Sequence, residues 1–91
     1  MINTDFLSML EWWGEGLENT YISYYERKDG IFLLEVYRPI NAEDTKWFYC
    51  FTPDDRIKVV KRAFECMEEN NGVLEMDDFS DILGEFRGVF Y

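Results

Sequence analysis

Two runs rich in β-branched and aromatic residues, 20–27 (TYISYYER) and 31–38 (IFLLEVYR), flank Lys28-Asp29-Gly30. Asp-Gly between such runs is a strong hairpin signal, because glycine supplies the positive φ that tight turns demand. An antiparallel sheet is therefore the element around which the rest must be arranged. Pro39 is expected to end the second strand, since it cannot donate to a ladder. Residues 41–45 (NAEDT) read as a polar loop and 46–51 (KWFYCF) as a third strand.

Helices are expected on both sides of this sheet in the chain. Thr4 followed by Asp5 reads as a helix start, with Phe6, Leu10, Trp13 and Leu17 at helical spacing and an end near Gly14 or Gly16. Thr52-Pro53-Asp54-Asp55 announces a second helix: a capping side chain, a proline suited to the first turn, and two acids at the positive end of the dipole. Its apolar stripe is Ile57, Val60, Phe64 and Met67, widened by Val59, Ala63 and Cys66, with Lys58, Lys61 and Arg62 off the main stripe. Asn70-Asn71-Gly72 ends it, with Gly72 suited to a left-handed position. A last helix is expected over residues 77–86, burying Phe79, Ile82, Leu83 and Phe86. The order α-β-β-β-α-α gives an α+β fold, a three-stranded antiparallel sheet with helices packed on one face, in a single domain over 1–91. Alternation assigns Ile22, Tyr24, Phe32, Leu34, Val36, Phe48 and Cys50 to the core face. It assigns Tyr21, Ser23, Tyr25, Leu33, Glu35, Tyr37, Trp47, Tyr49 and Phe51 to the other.

Charge bears most on function. Nineteen acids against nine bases, with no histidine, give a net charge of −10 in 91 residues. The excess is uneven. Residues 1–30 hold six acids and two bases, residues 31–64 five and six, and residues 65–91 eight and one. Such a charge resists compaction and favours basic partners. The 19% aromatic content offsets the repulsion, because each ring buries about 150–250 Å². The negative sign argues against direct binding of nucleic acid or of an anionic membrane. MINTDFLSML lacks the basic region and long apolar run of a signal peptide, so a cytoplasmic location is expected, with Cys50 and Cys66 as free thiols.

Two constellations stand out. Tyr25, Tyr37, Trp47 and Tyr49, with Tyr21, are expected on the sheet face away from the helices. Large, stiff, amphipathic side chains there suit a protein interface; a covering helix and a homodimer are the alternatives. Glu68, Glu69, Glu75, Asp77, Asp78 and Asp81, with Glu65 and Glu85, form the second. A solvated exterior explains exposed acids, but such a surface ordinarily mixes signs and gains from opposite-charge pairs. Forgoing that gain suggests that a basic partner supplies it.

Residues 67–78 (MEENNGVLEMDD) resemble the EF-hand calcium loop at Gly72 in the turn, at Leu74, and at Asn71 and Glu69 as oxygen donors. Met67 stands where the first aspartate belongs, and a thioether is no calcium ligand, so no metal is expected. Without histidine the commonest general base and metal ligand are missing. No CxxC, glycine-rich phosphate loop or GxSxG elbow is present. Neither an enzyme nor a cofactor is expected.

The reading that follows is a small acidic inhibitor that occludes a basic protein, a nuclease toxin or another nucleic-acid-binding enzyme. In size and charge the chain resembles bacterial immunity proteins and phage-encoded nucleic-acid mimics that block host nucleases; the resemblance rests on no residue motif. The competing expectation is a homodimeric regulatory adaptor.

Overall fold

A computed structural model describes residues 2–40 and 43–88. Seven elements follow one another: α1 (Ile2–Gly16), β1 (Tyr21–Glu26), β2 (Phe32–Ile40), β3 (Glu43–Phe51), α2 (Pro53–Glu69), α3 (Met76–Gly84) and β4 (Arg87–Gly88). The sheet is an antiparallel meander in the order β1-β2-β3-β4. It therefore has four strands rather than the three expected. Among the described residues the extra strand covers only Arg87–Gly88, too few to leave a periodic signal, and pairs Gly88 with Phe48 and Arg87 with Tyr49.

The hairpin forms as its turn signal requires. Gly30 adopts φ +89°, and Arg27 and Gly30 close the turn with backbone bonds. The Gly30 position is also crowded: a Cβ there would stand 2.9 Å from Cγ of Pro53. Pro39 lies within β2 rather than ending it, opposite Asp44. It is tolerated because β1 stops opposite Tyr37, leaving that side of β2 without a neighbouring strand. Glu43–Thr45, expected as loop, begin β3; the rest of that loop, Asn41 and Ala42, lies outside the described residues.

Register corrects the face assignment of the third strand. Leu34 stands opposite Tyr49, Val36 opposite Trp47 and Phe32 opposite Phe51. Trp47, Tyr49 and Phe51 thus lie on the inner face, whereas Phe48 and Cys50 point outward. Five consecutive apolar residues at 47–51 carry no alternation, so only pairing with β2 sets their phase.

All three helices send side chains to the inner face. Phe6, Leu10 and Trp13 from α1, Val59, Val60 and Ala63 from α2, and Phe79, Ile82 and Leu83 from α3 are buried with Phe32, Leu34, Val36, Tyr49 and Phe51. Phe6 meets Phe32 and Phe51 edge-on at 5.2 Å, an arrangement aromatic rings favour. α1 begins ahead of Thr4, which is therefore not its cap, and it ends at Gly16 as expected. α3 runs over Met76–Gly84, shorter than expected, because the chain turns at Glu85 and Phe86 to enter β4.

α2 starts as its sequence announces. The Thr52 side chain accepts from the Asp55 amide, the Asp55 carboxylate accepts from the Thr52 amide, and Pro53 opens the first turn. Its buried side is Arg56, Val59, Val60 and Ala63, rotated from the expected stripe so that Ile57 and Phe64 are exposed. Arg56 is 4% exposed and partnered through Nη2, while its buried Nε has no hydrogen-bond partner among the described residues. Its guanidinium donates to the Gly30 carbonyl, pairs with Glu26 at 2.9 Å and lies over the Phe32 ring. Those partners allow a charged residue to take the place expected for Ile57.

Candidate functional site: an acidic helical surface and its groove

The structure sorts the candidate anchors onto two sides of the sheet. Tyr25 and Tyr37 lie on the outer face with Tyr21, Ser23, Leu33, Glu35, Lys46, Phe48 and Cys50. Among the described residues no helix covers this face, and Tyr25 is 63% exposed. Tyr37 is half-buried, stacked against Tyr21 and capped by the Lys46 ammonium. Trp47 and Tyr49 belong to the other side. Tyr49 is buried, and its hydroxyl accepts from the Trp47 indole at 2.8 Å. Trp47 is half-buried under the guanidinium groups of Arg38 and Arg87. Neither is presented to a partner on the open face.

The acidic candidates stay together. Glu65, Glu68 and Glu69 lie in the last two turns of α2; Glu75 precedes α3, and Asp77, Asp78 and Asp81 lie within it. All seven are exposed. Among the described residues none of them makes an ion pair. Of the nearby bases, Arg62 pairs with Glu85 and Arg87 lies over the Trp47 ring, while Lys61 is exposed one turn before Glu65.

Helix geometry separates these acids by cause. Asp77 and Asp78 occupy the first turn of α3, whose positive dipole end favours them. α3 has no side-chain cap at Glu75, so these charges also serve its open amides. Glu65, Glu68 and Glu69 have no such reason. Glu68 and Glu69 stand in the last turn of α2, at its negative end and with no base in that turn, and Glu65 lies one turn before them.

Between the two helices the chain turns through Asn70, Asn71 (φ +54°) and Gly72 (φ +83°), and the Gly72 amide bonds the Met67 carbonyl at 2.6 Å. This is a helix C-terminal cap, in the place where the calcium-loop resemblance fell. Among the described residues no three histidine, cysteine or acidic side chains form a metal-binding group. A polar cleft of about 320 Å³ remains beside it, lined by Cys66, Glu69, Asn70, Glu75 and Asp78. Burial, followed by the negative charge of Asp78, Glu69 and Glu65, pushes the Cys66 thiol above its ordinary range.

Next to the acids lies a feature the sequence pattern did not reveal. An open groove of about 390 Å³ runs between α1 and α2, lined by Asp5, Ser8, Met9, Trp12, Phe64, Met67 and Leu74. Trp12 and Phe64 are 39% and 46% exposed. Phe64 belongs to the expected apolar stripe of α2, and its exposure departs from that expectation. The available signal was Arg56: once it is buried, the helix rotates and Phe64 swings outward.

Among the described residues no helix is long and apolar enough to cross a membrane. Comparisons with protein-family models, with curated proteins and with solved structures each return no match.

Proposed function

We propose that the protein is a small acidic inhibitor that binds a basic protein, with an immunity protein against a nuclease toxin as its best specific form. The observation that carries this reading is the trio Glu65, Glu68 and Glu69, exposed and, among the described residues, without an ion pair, with Glu68 and Glu69 in the last turn of α2 where their charge is least favourable. The two carboxylates in the last turn, Glu68 and Glu69, lower stability by about 0.3–1 kcal/mol each. A cationic surface reverses the penalty by supplying the missing counter-charge, steering association as it does so. The mechanism is occlusion: carboxylates take the positions that phosphates would occupy on the partner.

A phage-type nucleic-acid mimic uses the same charges and differs only in its target, a host nuclease. Under either reading the contact surface is the helical layer. The outer-face tyrosines are on the opposite side of the sheet and do not join it.

Co-expression with basic nuclease toxins provides the test. The wild-type chain should restore growth and inhibit the purified nuclease, with affinity falling steeply as salt rises. A folded Glu65→Gln, Glu68→Gln, Glu69→Gln triple variant should lose at least about tenfold in affinity, the size that charge pairs at interfaces command. Full inhibition by that variant would refute the proposal.

The homodimeric adaptor retains one supporting observation, the open outer face with Tyr21 and Tyr25 on the edge strand β1. Sedimentation of the purified chain separates the readings. A stable dimer that Tyr25→Ser dissociates would favour the adaptor.

A further inference from the structure

We infer that the α1/α2 groove seats an amphipathic, lysine- or arginine-rich helix of the basic partner. This rests on the inhibitor reading and specifies the element that the partner presents. The groove lies between two helices, the setting in which a third apolar helix face docks with side chains spaced a turn apart. Its walls suit such a guest. Met9 and Met67 are adaptable, and Trp12 is held edge-on to Phe79 at 6.0 Å, so its exposed surface is already fixed in place.

Charge selects the occupant. Asp5 lines the groove, Glu68 follows Met67 and sits one turn beyond Phe64, and Glu75 follows Leu74. Lys61 lies a turn before Phe64, so the negative charge gathers toward Met67 and Leu74, and the guest's bases are expected there. A second copy of this chain would bring its own −10 charge against the same rim. An anionic lipid surface or nucleic acid meets the same repulsion. A guest with an apolar stripe flanked by bases satisfies wall and rim together.

The probe is a synthetic helical peptide of about fourteen residues, with leucine and phenylalanine on one face and lysine on the other. It is titrated into the full-length protein by calorimetry and by NMR. The Trp12 indole and the Met9 and Met67 methyls should shift on binding. Phe64→Ser should weaken binding at least tenfold. Ser8→Lys provides a second variant that leaves Phe64 in place: Ser8 is exposed, and a lysine there obstructs and repels without touching the interior. Glu68→Gln with Glu75→Gln should flatten the salt dependence.

Equal binding by a scrambled peptide, or by one with glutamine for lysine, would overturn the inference, as would shifts confined to the outer sheet face. The two readings fail separately. If a cationic nuclease is inhibited equally by wild type, Phe64→Ser and Ser8→Lys but not by the Glu65/Glu68/Glu69 glutamine variant, the groove inference falls and the inhibitor reading stands. If the peptide seats in the groove while that glutamine variant inhibits the nuclease fully, the inhibitor reading falls.

Discussion

At its N-terminus α2 has Thr52 and Asp55 bonded to each other's backbone, Pro53 in the first turn and acids where the dipole is positive. At its C-terminus it has Glu65, Glu68 and Glu69 and no base. One helix thus follows the rules of stability at one end and sets them aside at the other. The well-built end is also the one locked into the fold, since Arg56 ties it to the β1–β2 turn through Glu26 and the Gly30 carbonyl. The contrast teaches where to look for function: local rules are broken where something other than folding has a claim on the residues.

The sharpest way to break the contrast is at Arg56. Arg56→Ala removes a buried guanidinium bonded to a carbonyl and a carboxylate, and strips its cover from Phe32. The expected loss is about 1.5–3 kcal/mol, the range for bonds involving charged groups, read as a fall in urea midpoint at unchanged slope. A loss under about 0.5 kcal/mol, the size of an ordinary surface substitution, would show that the N-terminal end is not anchored as described. Thr52→Ala tests the cap alone and should cost about 1 kcal/mol by the same measurement.

Changes at the other end should carry the opposite sign. Glu69→Lys is expected to raise stability by about 0.3–1 kcal/mol, because it places a base at the negative helix end. The same substitution should weaken binding to a cationic nuclease. A variant that is destabilised instead would mean that Glu69 has a structural role, and the contrast between the two ends would collapse.

The smallest effect is at Cys66. Its thiol is held above the ordinary range, first by burial and then by Asp78, Glu69 and Glu65. The pH profile of its alkylation should therefore lie to the alkaline side of a model thiol, and Asp78→Asn should move it back. The linked effect on stability has a definite sign. A thiol raised in the folded state supports the fold fully below its unfolded value, and that support is lost as pH climbs through the folded value.

Much of this architecture was legible because local chemistry and tertiary context agreed. Asp29-Gly30 specified the hairpin, and Thr52-Pro53-Asp54-Asp55 placed the start of α2 at the right residue. Legibility ended where several solutions satisfied the same pattern. Residues 47–51 are apolar without alternation, so Trp47 and Tyr49 were placed on the wrong face until β2 set their register. Arg56 counted as polar by type, and only its partners in the turn explain its burial. That single substitution of inside for outside moved Phe64 to the surface and created the groove. The acids themselves were legible as a cluster. That Glu68 and Glu69 oppose the helix dipole required the end of α2 to be fixed first.

The indole of Trp13 donates to the Ser80 hydroxyl at 2.9 Å across 67 positions of chain. Joining those residues closes most of the polypeptide into one loop, and such long closures govern how quickly a domain forms. The arriving segment carries eight acids and one base toward a molecule that is already negative. Dissolved salt screens that approach, so ionic strength should set the pace of folding, and the protein should assemble faster in brine than in dilute buffer.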